Sequence, residues 1–127
     1  MKQAYSTAAA PKPAGAYSQA VRVGNAVYLA GQVGLNPQSG EMVTVSFADE
    51  VKQVFANLKA VAEAAGGSLQ DAVKLTVYLT DLSQFTVMNE TMMQIFQAPY
   101  PARTTVEVSK LPRGARVEVD AILGTAP

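Results

Sequence analysis

The chain contains no cysteine and no histidine, and these two absences remove several mechanisms together. Without a thiol there is no cysteine nucleophile and no disulfide. Without an imidazole there is no histidine base and no Ser-His-Asp triad. A zinc site would have to be built from carboxylates alone, which is uncommon, so neither a metal nor another cofactor is expected. Proton transfer then falls to Glu, Asp, Lys or Tyr. An excess of one charge is lacking too: ten Lys and Arg balance ten Asp and Glu. Attraction to nucleic acid or anionic lipid is therefore weak overall, and neither is expected as a partner. No apolar run approaches the roughly 20 residues that span a bilayer. The opening residues, MKQAYSTAAAPKPAGAY, lack the apolar core of a signal peptide, so a cytoplasmic protein is expected.

What is present points to one compact domain over residues 1–127, with 49% hydrophobic and 16% charged residues. Residues 1–16, carrying Pro11, Pro13 and Gly15, read as a short strand or extended arm leading into a turn. Ala20 to Val23 is a weak strand, Gly24-Asn25 a tight turn, and Ala26 to Ala30 a buried strand ending at Gly31-Gln32-Val33-Gly34. The spacing of Val51, Val54, Phe55, Leu58, Val61 and Ala62 predicts an amphipathic helix. Ser46-x-x-Asp49 would cap it and Gly66-Gly67 would end it. Its charged residues, Glu50 among them, are expected mostly off the buried stripe. Val73, Leu75, Val77 and Leu79 alternate with Lys74, Thr76 and Tyr78, which predicts a strand with the valines and leucines inward. A second helix follows, with Phe85, Met88, Met92, Ile95 and Phe96 as its buried stripe and Met88, Met92 and Met93 as core fillers. Pro99 and Pro101 end it.

The last stretch alternates twice, from Arg103 to Ser109 and from Arg116 to Leu123, with Pro112-Arg113-Gly114 between. Placing Val106, Val108, Val117, Val119, Ala121 and Leu123 in one core sends Arg103, Thr105, Glu107, Arg116, Glu118 and Asp120 to the other face. Read locally, the two strands form a hairpin. The whole order is strands, helix, strand, helix, two strands, an α+β fold with a mixed sheet. Two helices can cover one face of that sheet, leaving the other to water or a second subunit.

In order along the chain stand Gly15-Ala16-Tyr17-Ser18-Gln19, Gly31-Gln32, Asn57-Leu58, Val73-Lys74, Asp81-Leu82, Asn89, Pro101-Ala102-Arg103-Thr104 and Val117-Glu118-Val119. With these landmarks the sequence resembles the RidA (YjgF) family of imine deaminases from about Ala10 to Gly124. The resemblance implies a chorismate-mutase-like fold assembled as a homotrimer, with ligand clefts between neighbouring subunits and other strands between the two C-terminal ones. It implies hydrolysis of 2-imino acids, such as 2-iminobutanoate or 2-iminopropanoate, to 2-keto acids and ammonia. It carries Arg103 as the carboxylate holder, Glu118 as the group that orients or activates water, and Tyr17, Gly31 and Asn89 as substrate contacts. Two positions depart: Ala30 stands where a serine is common, and Thr105 where cysteine or serine is common. Thr105 keeps a hydroxyl for the substrate; Ala30 does not.

On the residues alone, Arg103 reads first as an exposed strand cation in a surface ion pair, and Glu118 as a solvated carboxylate; the resemblance reverses the order for Arg103. Tyr17 can wall a pocket, and Asn89 can cap backbone. Glu107 and Asp120 are assigned to structure or solvent. Besides the deaminase, two other functions stay open: a trimeric module that binds small carboxylates without turnover, and an RNase or translation inhibitor. Zero net charge and the missing histidine weigh against the latter.

Overall fold

The computed structural model of the protein describes residues 1–125. Its strands are β1 (Gln3–Tyr5), β2 (Ala20–Val23), β3 (Ala26–Val33), β4 (Ala72–Leu79), β5 (Ala102–Glu107) and β6 (Val117–Gly124); its helices are α1 (Phe47–Ala64) and α2 (Phe85–Ile95). The strands form one sheet in the order β1-β2-β3-β6-β4-β5. Every neighbouring pair is antiparallel except β4 with β5, which run parallel across α2. The expected α+β class with a mixed sheet is what the chain adopts. The local hairpin is not: β4 lies between β5 and β6. Parallel pairing of β4 with β5 needs a long crossover, which α2 and the segment after it supply.

Helix α1 forms where the periodicity predicts. Ser46 accepts from the Asp49 N–H at 3.1 Å and so satisfies a donor that the first turn leaves free. After Ala65, Gly66 takes a φ of 80° and turns the chain away. Val51, Val54, Phe55, Leu58 and Val61 pack on Val77, Val117, Val119 and Leu123, with Met88 and Phe96 extending the same core. Phe55 and Phe96 meet edge to face, their centroids 5.6 Å apart.

Four expectations change in the folded chain. Glu50 is 1% exposed rather than solvated; it accepts from the Arg116 Nε at 2.6 Å and from the Arg116 backbone N–H at 2.8 Å. Val73 is 53% exposed because an irregularity in the β4–β6 ladder between Ala72 and Lys74 shifts the alternation there. Met93 is exposed, and Phe85 partly so, while Met88, Met92 and Phe96 are buried as expected. The fourth change concerns β5. Its register sets Arg103 beside Leu75, Thr105 beside Val77 and Glu107 beside Leu79. Paired residues in a sheet point the same way, and Leu75, Val77 and Leu79 face the helices. Arg103, Thr105 and Glu107 therefore lie on the helix side, while Val106 is turned outward.

Glu118 and Asp120 sit opposite Tyr78 and Thr76 on the other face. No helix covers that face. It mixes Tyr28, Ile122 and Val106 with Lys74, Thr76, Tyr78, Glu118 and Asp120, and Tyr28 is half exposed there.

Candidate functional site in two halves

Within one chain the residues singled out for function fall into two groups on opposite faces of the sheet. Arg103 belongs to the helix side. Its Nη1 donates to Asn89 Oδ1 of α2 at 2.8 Å, and its guanidinium lies 5.2 Å from the centroid of the Phe85 ring. A planar, delocalised cation is suited to such stacking. Asn89, Met92, Met93, Tyr100, Pro101 and Arg103 line a depression of about 320 Å³. Among the described residues Arg103 has no carboxylate partner, since the one ion pair there is Glu50–Arg116. Thr105 lies two residues further along the same strand face, its hydroxyl buried with no hydrogen-bond partner. The first depression is thus built on an oriented arginine with no carboxylate partner among the described residues.

The second group gathers around Glu118. It lines a depression of about 470 Å³ with Tyr17, Ala30, Gly31, Lys12 and Arg113 among the other walls. Gly31 falls where the β3–β6 register shifts between Leu29 and Gln32, and the lack of a side chain has a direct cause. A Cβ at this position would overlap the Glu118 carboxylate. Tyr17 is 53% exposed, and its hydroxyl accepts from the Ala14 N–H at 3.2 Å, which fixes the ring beside the opening. Burial raises the pKa of the Glu118 carboxyl above its ordinary value, and the neighbouring Asp120 charge adds to the effect.

Sequence reasoning missed three features of this site. Phe85 is a platform for Arg103 rather than a core residue. Arg113, read only as turn punctuation, lines the Glu118 depression and is held by a bond from its Nη2 to the Gly40 carbonyl at 3.1 Å. Asp120, assigned to structure or solvent, accepts from the Tyr78 hydroxyl at 3.0 Å. Only the Pro112-Arg113-Gly114 punctuation was a signal: it marked a turn, and Arg113 there takes a φ of 62°. Among the described residues no group of three or more acidic side chains is gathered as a metal site, and no helix is long and apolar enough to cross a membrane.

The profile of the family described as endoribonuclease L-PSP matches residues 7–124. A 2-iminobutanoate/2-iminopropanoate deaminase of Dermatophagoides farinae is 48% identical over 122 residues, 96% of this chain and 95% of that one. The crystal structure of RidA from an Antarctic Psychrobacter superposes with a TM-score of 0.93 at 50% identity, covering 96% of this chain and 98% of the other. Escherichia coli TdcF, solved with bound serine, gives a TM-score of 0.93 at 36% identity over 98% of this chain and 99% of its own. A profile match across nearly the whole chain, with relatives alike in sequence and fold over the same span, establishes that the chain belongs to the endoribonuclease L-PSP family, that of the RidA (YjgF) proteins.

Proposed function

We propose that the protein hydrolyses 2-imino acids to 2-keto acids and ammonia, in a cleft formed where two copies of the chain meet. The observation that carries this reading is the division of the site: on one face an arginine, on the other a half-buried carboxylate, each without an ion-pair partner among the described residues. Neither half alone binds a small imino acid at both ends. A heterologous contact, repeated around a closed ring, sets the Arg103 half of one copy against the Glu118 half of the next. The uncovered sheet face is the surface such an assembly would bury, and a homotrimer is the closed ring we infer. The deaminase names of relatives close to this chain support the substrate class.

In this arrangement Arg103 grips the substrate carboxylate through parallel N–H bonds, with Asn89 keeping the guanidinium in its plane. The Thr105 hydroxyl, buried without a partner, is available to the substrate from the same strand. Glu118 accepts a proton from water as the water oxygen bonds to C2 of the imine. The C=N π electrons move to nitrogen, which takes that proton to give the carbinolamine; the hydroxyl proton then passes through Glu118 to the nitrogen as the C–N bond breaks, so that ammonia leaves and C2 keeps its oxygen as the keto group. A carboxyl with raised proton affinity is a stronger base than an ordinary one, so burial at Glu118 serves the proton transfer. Gly31 leaves room for the carboxylate, and Tyr17 walls the opening. Imines hydrolyse in water unaided, so positioning of substrate and water is the larger part of the catalysis.

A second reading has one observation behind it. Ala30 lines the Glu118 depression and brings no hydroxyl there, which suits a module that binds small carboxylates without turning them over. Adding the protein to a serine or threonine dehydratase reaction, and following imine decay apart from keto-acid formation, separates the two. Faster imine loss is the expected result. Unchanged decay, with 2-ketobutyrate still bound in calorimetry, replaces the hydrolase with the binding module.

A further inference from the structure

Strand alternation puts Asp120 on the same face as Glu118, two residues and roughly 6.5–7 Å along β6. Tyr78 of β4 is the direct cross-strand partner of Glu118, and Thr76 that of Asp120. The Tyr78 hydroxyl does not stay in its own row. It donates to Asp120 Oδ2 at 3.0 Å, so the ring runs diagonally from the Glu118 row to the Asp120 row. That bond fixes the Asp120 carboxylate on the Glu118 side of its own row.

Resting on the reading of Glu118 as the base, we propose that Asp120, held in place by Tyr78, is a positioning residue that acts through Glu118. It keeps that carboxyl basic enough to take a proton from the attacking water. The charge next to Glu118 is fixed, of the same sign, and anchored by a bond Glu118 does not share. Other charged or titratable groups at the Glu118 depression are Lys12, Arg113 and Tyr17. Neither cation forms an ion pair with Glu118 among the described residues, and Asp120 is the charged neighbour that adds to the effect of burial. Burial raises the Glu118 pKa and the Asp120 charge adds to it; Tyr78 is raised as well, by burial first and then by its bond to Asp120.

The test uses Asp120→Asn, which keeps size and hydrogen bonding while removing the charge. Two readings are taken: the pH profile of imine hydrolysis, and the titration of Glu118 followed by carbon-detected NMR on Glu- and Asp-labelled protein. Asp120→Asn is expected to move the Glu118 midpoint and the acid limb of the profile together to lower pH. A fold-only role for the Tyr78–Asp120 bond would lower the amount of folded enzyme and leave both positions in place. An unmoved Glu118 midpoint in folded Asp120→Asn overturns the proposal. If that variant does not fold, Tyr78→Phe takes its place: freeing Asp120 from its bond is expected to move the Glu118 midpoint to lower pH, and an unmoved midpoint in the folded variant overturns the proposal. Glu118→Gln, assayed alongside, tests the base itself. Full turnover in that variant removes Glu118 from the chemistry, whatever the Asp120→Asn protein shows.

Discussion

At the scale of single residues, Arg103 and Glu118 are assigned different tasks, and two substitutions separate them. Arg103→Lys keeps the charge but loses the planar fork that Asn89 orients and Phe85 supports. Losing a charge-assisted bidentate contact costs about 1.5–3 kcal/mol, so 2-ketobutyrate binding and hydrolysis are expected to fall about ten- to a hundredfold together. Glu118→Gln should leave keto-acid binding within about a few-fold while hydrolysis drops about a hundredfold or more. Calorimetry and the coupled imine assay on the same preparations give both numbers; equal losses in the two variants would undo the division of roles. Glu118 also has a stability signature. Its folded pKa is raised, so between the ordinary value of 4.5 and the higher folded one the native state holds more proton than the unfolded state. Its contribution to stability therefore falls as pH rises through that window and stays lower above it. Glu118→Gln is expected to melt no lower than the parent at neutral pH, with any advantage shrinking as pH falls through that window and gone below 4.5. A clear loss of Tm at neutral pH would mean that the carboxylate stabilises the fold instead.

At the scale of elements, the Glu50–Arg116 pair fastens α1 to the start of β6, two residues before Glu118. The two ends of the pair are unequal, with the Glu50 side chain 1% exposed and that of Arg116 41%. Arg116→Ala strands a buried carboxylate and is expected to cost about 3–5 kcal/mol. Glu50→Ala leaves an arginine that can turn to water, so the cost should be smaller, about 1.5–3 kcal/mol for the lost charged hydrogen bonds. Urea unfolding with the slope held common to all variants measures both; a larger loss for Glu50→Ala would reverse the argument. Close packing supports the pair from the other side. A Cβ on Gly34 would come within 2.8 Å of Glu50 Cγ and 3.0 Å of its carbonyl oxygen, so β3 can approach α1 only through a glycine.

At the scale of the whole molecule, the proposed reaction needs a second copy, because Arg103 and Glu118 lie on opposite faces of the sheet. A monomer stable at micromolar concentration in sedimentation would remove both the trimer and the shared cleft. Mixing makes a stricter test. In trimers reassembled from equal amounts of Arg103→Ala and Glu118→Gln chains, an intact cleft forms wherever a sound Arg103 half meets a sound Glu118 half. Random assembly makes about a quarter of the clefts intact, so about a quarter of parental activity should return from two nearly inactive proteins. No recovery despite proven mixing would place Arg103 and Glu118 in the same subunit's cleft, or in none.

Much of this molecule is written locally. The period of the α1 residues, the Ser46 cap, the glycine stop and the alternation in β4 and β6 depend on neighbours a few residues apart, and the sequence by itself determined them. The absence of cysteine and histidine likewise confined proton transfer to Glu, Asp, Lys and Tyr before any fold was known. Which face of a strand turns inward is a different kind of fact. Alternation divides β5 into two sets of residues, Arg103 and Thr105 against Thr104 and Val106, but cannot say which set meets the core. Valines at Val106 and Val108 suggested one answer; the parallel register with β4, set across the α2 crossover, imposed the other. The edge position of β5 makes this possible, because a strand paired on one side only can turn an arginine toward the helices and still leave its charge in a depression. The burial of Glu50 depended in the same way on Arg116, 66 residues away. Contacts at that separation are settled by tertiary packing, and the separation of Arg103 from Glu118 across the sheet is one of its results.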